Sequence, residues 1–292
     1  MEPTLNPESG FLRFRIDFTY DGSNFSGWAR QPDLRTVQGE IENALNEITQ
    51  SNPELTVAGR TDAGVHATSQ VAHVDLPQLD RFGKEWRLED LTYRLNRMLD
   101  EDIRIQRITL APPFFHARFS ALRRHYIYKI ADGKRQLEPL RRFDIAPYYR
   151  ELDIDAMNSA SKEVLGEHDF ATFCKVGSTG TTIRRLERFE WRRDSENTLI
   201  ADVVADAFCY SMVRTLVGAV VRVGEGRFSP EWLGEILAKR ERVAETLVFP
   251  ARGLTLIGVE YPPDSQLKSR AGNRSEERRV GKECRSRWSP YH

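Results

Sequence analysis

An α+β fold is predicted, with mixed or antiparallel sheet and helices on one face. Three observations predict it: segments of period two alternate with segments of period 3.6, the connections are short, and a similar order of elements occurs twice. No residue-level repeat accompanies that duplicated order. The break at Ala111-Pro112-Pro113 divides an N-terminal half at 11–112 from a C-terminal half at 113–263, followed by a tail at 264–292.

The first strand is carried by Leu12, Phe14, Ile16, Phe18 and Tyr20, which alternate with Arg13, Arg15, Asp17 and Thr19 before the turn at Asp21 and Gly22. Thr36 is placed to cap a helix whose Val37, Ile41, Ala44, Leu45 and Ile48 share one face. A short strand through Leu55 and Val57 precedes a longer one from Ala67 to Leu76. A helix follows over Leu88 to Leu99, with Leu91, Leu95, Met98 and Leu99 inward, and then a strand from Ile103 to Leu110. The second half opens with a strand from Arg123 to Ile130 and a helix from Asp153 to Leu165, stopped by Gly166. Strands at Leu186 to Arg193 and Leu199 to Ala207 lead to a helix from Met212 to Val223, which turns Val213, Leu216, Val217 and Val220 inward. Ser229-Pro230-Glu231 has the cap and first-turn proline of a helix start, burying Trp232, Leu233, Ile236 and Leu237, and Gly253 to Tyr261 closes as a strand.

With 292 residues, 40% of them hydrophobic, the chain is long enough for one large domain or two ordinary ones. Its start, MEPTLNPESG, lacks the basic-then-apolar layout of a signal peptide, and the apolar stretch around Leu216 to Val221 is too short to span a bilayer, so a soluble cytoplasmic protein is expected. Cys174, Cys209 and Cys284 show no paired spacing, and buried or free thiols are the expectation.

From Asn273 onward the chain loses all periodicity and becomes rich in arginine. One reading is a basic RNA-binding arm. The other, which we favour, is that Arg274 to His292 is non-native, a sequencing-adapter peptide read past the end of the gene. Setting that segment aside removes six basic and three acidic residues from totals of 43 each, leaving 37 against 40 and a net charge of −3. Whole-chain charge therefore gives no support for nucleic-acid binding, and an RNA site must be a local basic cleft.

Three segments carry candidate chemistry. The run Ala58 to Ala67, AGRTDAGVHA, leaves one strand and enters another, and its glycines suit a tight loop presenting Arg60, Asp62 and His66. By itself the Arg60/Asp62 pair reads as a surface ion pair worth little, but turn chemistry does not explain ten specified residues. His66 reads as structural, because no Cys, Asp or Glu stands at ligand spacing on its element. The second segment, Phe115 to Tyr128, interleaves Arg118, Arg123, Arg124 and His125 with Phe115, Phe119, Tyr126 and Tyr128. That mixture suits flipped-out bases, and equally an edge strand with arginines in solvent. In the third, Arg214 stands in an otherwise apolar helix. If it faces inward it needs a carboxylate partner, and if it lies on an exposed helix edge it does not. No phosphate-cradling loop, dinucleotide fingerprint or metal cluster is present in the sequence, so no cofactor is expected.

These residues lie within ordered blocks that together resemble the TruA-type tRNA pseudouridine synthases from about Phe11 to about Pro263. The blocks are YDGSNFSGWARQ from Tyr20, TVQGEIENAL from Thr36, AGRTDAGVHA from Ala58, FHARFSALRRHYIY from Phe115, GEHDFATF from Gly166 and AFCYSMVRTLVGAVVRVG from Ala207. Departures are Ala29 where the family usually has glutamine, Ser69 where it has glycine, and Asp100-Glu101 in place of proline and glycine. The resemblance implies two ferredoxin-like halves forming a continuous sheet around a central RNA-binding cleft, in a homodimer. It implies isomerisation of uridine to pseudouridine at positions 38 to 40 of the tRNA anticodon stem-loop, without metal or cofactor. Carried over by position, Asp62 is the nucleophile, Tyr126 packs on the target base and Arg214 pairs with Asp62. Because a stem uridine must be flipped out by a cleft that grips the flanking phosphates, Arg30, Arg60, Arg118, Arg123 and Arg124 become the candidate substrate contacts. The rival class is an RNA-binding protein of the same fold without catalysis.

Overall fold

A computed structural model describes residues 7–133, 137–175 and 181–270. The first strand, β1 (Phe11–Tyr20), turns Phe14, Ile16, Phe18 and Tyr20 to one face, each at most 4% exposed. Each such side chain contributes about 2 kcal/mol by leaving water. The opposite face of β1 is closed by polar pairing, with Arg13 bidentate to Asp75 at 2.7 and 2.8 Å.

The helix α1 (Val37–Thr49) starts where Thr36 Oγ1 accepts from the Gly39 N–H, and it buries Val37, Ile41, Ala44, Leu45 and Ile48 as expected. The two-residue strand β2 (Thr56–Val57) and the long β3 (His66–Pro77) flank the AGRTDAGVHA loop. The helix α2 (Leu88–Met98) has no side-chain cap. Glu89 and Asp90 in its first turn oppose the positive end of its dipole instead. Met98 was expected inward but is 42% exposed, since Leu91, Leu95 and Leu99 already fill that side. Strand β4 (Ile103–Leu110) completes the first half.

The second half runs β5 (Arg123–Ala131), β6 (Ala146–Pro147), α3 (Ile154–Lys162), β7 (Gly166–Asp169), β8 (Ile183–Arg193), β9 (Leu199–Ala205), α4 (Met212–Gly224), α5 (Trp232–Lys239) and β10 (Leu254–Glu260). Asp153 caps α3 by accepting from the Asp155 and Ala156 N–H groups. The helix stops at Lys162 rather than Leu165, and Gly166, at φ +103°, opens β7 instead of closing the helix. Ser229 contributes its carbonyl to the turn before α5, accepting from the Trp232 N–H, so no side chain caps that helix.

All strands join one sheet in the order β4-β1-β3-β10-β5-β9-β8-β7, with β2 added on β3 and β6 on β5. Within each half the βαββαβ elements take the spatial order fourth, first, third, second: β4-β1-β3-β2 and β10-β5-β9-β8. The halves meet because β2 is too short to cover β3, and β10 runs parallel to the uncovered start of it, pairing Thr255 with His66 and Leu256 with Ala67. One hydrophobic core spans both halves. A smaller cluster of Ala58, Val71, Phe115, Ala117 and Leu267 holds the loop between them.

Cys174 and Cys209 are joined in a disulfide between Cα atoms 5.7 Å apart, against the expectation of separate thiols; 35 residues of sequence conceal the pairing. Cys284, with the whole of Arg274 to His292, lies outside the described residues.

Candidate active site

The loop from Ala58 to Val65 is held from several sides. Tyr20 at the end of β1 shares a 2.7 Å hydrogen bond with Thr61 Oγ1, and Gln70 Nε2 donates to the Tyr20 hydroxyl and to the Gly59 carbonyl. Burial pushes the Tyr20 hydroxyl up to about 12, against the opposing effect of those two hydrogen bonds, so it remains a protonated strut at neutral pH. The Trp28 N–H donates to the Thr61 carbonyl, and the Val65 N–H to that of Asp62.

The YDGSNFSGW segment packs directly on this loop through its glycines. A Cβ on Gly22 would lie 2.0 Å from the Val65 carbonyl oxygen. Gly27, at φ +96°, has Thr61 O and Ala63 N just beyond 3 Å from where its Cβ would stand. His66 uses both ring nitrogens structurally: Nδ1 accepts from the Gly22 N–H, and Nε2 donates to the carbonyls of Phe143 and Arg252. It clasps the two halves together, in keeping with a structural role.

Asp62 projects from this loop onto α4. Its Oδ2 lies 2.9 Å from Arg214 Nη1, and the two side chains are only 15% and 18% exposed. Arg214 is fixed a second time, through Nε to the Phe249 carbonyl at 2.8 Å, while the Phe249 N–H returns to the Arg214 carbonyl. Ser211 Oγ donates to the same Asp62 Oδ2 at 3.0 Å. Asp62 Oδ1 has no hydrogen-bond partner among the described residues.

The third expected member arrives along the sheet. A row of paired residues runs Tyr20, Ala67, Leu256, Tyr126 and Val203 across five strands, which sets Tyr126 beside the end of the loop. Tyr126 is 7% exposed, and its ring stands perpendicular to that of Phe208, at 88°, with the ring centres 5.2 Å apart. Its hydroxyl makes no hydrogen bond among the described residues and is pushed up chiefly by burial, with Asp62 close enough to add to that shift. Gly59 stands opposite, where a Cβ would come 3.9 Å from the Tyr126 hydroxyl. Asp62, Tyr126 and Arg214 therefore converge, and the alternative of an exposed helix-edge Arg214 is excluded.

The five candidate arginines separate. Arg60 is exposed and makes no hydrogen bond or ion pair among the described residues. Arg118 is exposed, with its guanidinium 5.6 Å from the Phe119 ring centre. Arg30 is half exposed but leans on Glu42 and Asn43 of α1. Two are otherwise engaged. Arg123 lies between the carboxylates of Glu187 and Glu260, which offset its charge. Arg124 is 6% exposed and donates to the carbonyls of Ala58, Arg118 and Asp206, so it ties down the Asp62 loop and the Arg118 loop instead of meeting solvent. Sequence reasoning missed Ser211 and the two glycines. Ser211 looks like an ordinary helix cap, whereas two glycines five residues apart among buried aromatics were a usable signal.

A carboxylate with one oxygen tied and one without a partner among the described residues, beside an aromatic ring, can attack or deprotonate a sugar or base while the ring stacks on that base. Among the described residues no group of three or more His, Cys, Asp or Glu side chains could hold a metal ion. The profile of the tRNA pseudouridine synthase family matches residues 18–120 and 160–262. A tRNA pseudouridine synthase A of Frankia casuarinae is 51% identical over 263 residues, covering 90% of this chain and 94% of that protein. Those of Leifsonia xyli and Streptomyces griseus are 49% and 50% identical, covering 89% and 90% of this chain and 95% and 93% of theirs.

Proposed function

The chain belongs to the tRNA pseudouridine synthase family, and from that premise we propose that it isomerises uridine to pseudouridine at positions 38 to 40 of the tRNA anticodon stem-loop. The observation that supports this reading most is the Asp62–Arg214 ion pair beside the Tyr126 ring. The reaction breaks the bond from C1′ to N1, turns the uracil while retaining it, and rejoins it through C5, which gives up its proton as N1 gains one. Asp62 acts as the nucleophile at C1′ or C6, or as the base that removes the C2′ proton. All three routes need an ionised carboxylate in a site shielded from water. The Arg214 guanidinium holds that carboxylate at 2.9 Å. Tyr126 carries the detached uracil on its ring face.

The target base leaves its stack first, and the phosphates beside it meet Arg60 and Arg118, with Arg30 as an outer contact. Arg123 and Arg124 are assigned structural work instead. The two halves, 11–112 and 113–263, frame the cleft, each supplying part of the site: Asp62 from the first, Tyr126 and Arg214 from the second. A homodimer in the cytoplasm completes the reading; among the described residues no helix is long and apolar enough to cross a membrane. The test is mass-spectrometric mapping of pseudouridine in unmodified tRNA with and without the protein. New pseudouridine confined to positions 38 to 40 is expected. A tRNA that binds and stays unmodified would instead mark an RNA-binding protein without catalysis.

A further inference from the structure

Ser211 precedes α4 and occupies the cap position, yet its hydroxyl does not cap the helix. Its backbone takes a left-handed conformation at φ +61°, uncommon for a residue with a Cβ. Its carbonyl accepts from both the N–H and the hydroxyl of Thr215, one turn into the helix. The hydroxyl is turned instead onto Asp62 Oδ2, the oxygen that also meets Arg214.

The segment leading to Ser211 is strapped in place. Cys209 is bonded to Cys174, the Lys175 N–H donates to the Tyr210 carbonyl, and the Lys175 ammonium lies 4.9 Å from the centre of the Tyr210 ring. Phe208 of the same segment meets the Tyr126 ring. One short stretch thus delivers contacts to both the carboxylate and the aromatic platform.

We propose that Ser211 is a positioning residue that, with Arg214, ties Asp62 Oδ2 and so commits Oδ1 to the substrate. A single cation leaves a carboxylate free to swing about its own bond, whereas two donors on one oxygen, from different directions, fix its plane. This inference rests on the assignment of Asp62 as the reacting carboxylate.

Ser211→Gly tests it without adding strain, because glycine accepts the left-handed backbone while removing the hydroxyl together with its Cβ. A lost hydrogen bond to a charged group predicts a single-turnover rate lowered about tenfold, with affinity for the anticodon stem-loop within about twofold. Ser211→Asn, which tolerates the same backbone conformation and restores a donor, should recover most of the rate. An unchanged rate in Ser211→Gly overturns the proposal, as does a loss seen only in affinity. Asp62→Ala is measured alongside. Turnover in that variant overturns the assignment of Asp62 itself, whereas an inactive Asp62→Ala beside a fully active Ser211→Gly overturns only the role given to Ser211.

Discussion

Arg214 Nη1 and Asp62 Oδ2 meet at 2.9 Å across 152 residues of sequence, and that contact joins the two halves of the sheet chemically. Neither charge is exposed enough for the pair to resemble a surface ion pair, whose worth is typically below about 1 kcal/mol. Removing one partner from such a pair leaves the other poorly solvated, so the contact specifies geometry more than it adds stability. The same contact brings α4 to the Asp62 loop, where Ser211 and Phe208 follow it.

The glycines of the YDGSNFSGW segment should be intolerant of any side chain. Gly22→Ala sets a methyl 2.0 Å from the Val65 carbonyl, with backbone on the receiving side that cannot turn away. Overpacking of this kind costs about 1–3 kcal/mol and displaces the loop that carries Asp62. Turnover should fall more than about 100-fold in a protein that still unfolds cooperatively. Wild-type turnover would show that the loop moves without consequence.

Much of this arrangement was legible in sequence, and the limits have physical causes. The long strands and helices were readable because alternation or a 3.6 period runs through Phe14, Ile16 and Phe18, or Val37, Ile41 and Leu45, for several repeats. Strands β6 and β7, two and four residues long, are too short to show a period. Arg214 in an apolar helix left a buried partner and an exposed helix edge both open, and the contact with Asp62 decides for the first. Arg124 gave no sign of burial, since the carbonyls that accept from it, those of Ala58, Arg118, Ala121 and Asp206 among them, come from loops whose path only the fold determines. The Ser211 hydroxyl was hidden for the same reason: a serine before a helix reads as a cap, and its acceptor lies 149 residues away.

Tyr126 should act through its ring. Because its hydroxyl has no partner among the described residues and burial holds it protonated, Tyr126→Phe should keep at least about half of the wild-type rate. Tyr126→Leu, which removes the stacking face, should lose about 10–100-fold, in line with the stacking energy of one base. A tenfold loss in Tyr126→Phe measured by single turnover would give the hydroxyl a chemical role.

Arg60 should contribute affinity rather than chemistry. If it meets one phosphate, Arg60→Ala lowers the slope of log K against log salt concentration by about 0.7–0.9. Filter binding of an anticodon stem-loop across a salt series measures it. An unchanged slope would remove Arg60 from the phosphate contacts.

Acid should destabilise the fold through His73. Burial, with Arg13 and His116 nearby, pushes its ring down to about 2, while its Nδ1 accepts from the Ala117 N–H. An unfolded histidine takes up a proton near pH 6.5, so the unfolded state binds the extra proton below that pH and the folded state does not. Stability is therefore lost as pH falls from about 6.5 towards 2, by about 1.4 kcal/mol at pH 5.5. In His73→Asn, which keeps an acceptor for Ala117, urea unfolding should lose about that much less between pH 7.5 and 5.5. Equal losses in both proteins would assign the acid sensitivity elsewhere.

In the proposed reaction Asp62 performs the chemistry and the remainder of the cleft holds the RNA. Pseudouridine formation on an anticodon stem-loop, measured with Asp62→Ala beside the affinity of that variant for the same RNA, tests it most directly. Turnover should vanish while affinity stays within about threefold, since one carboxylate among arginines adds little to binding. Pseudouridine formed by Asp62→Ala at a rate comparable to wild type would contradict the account.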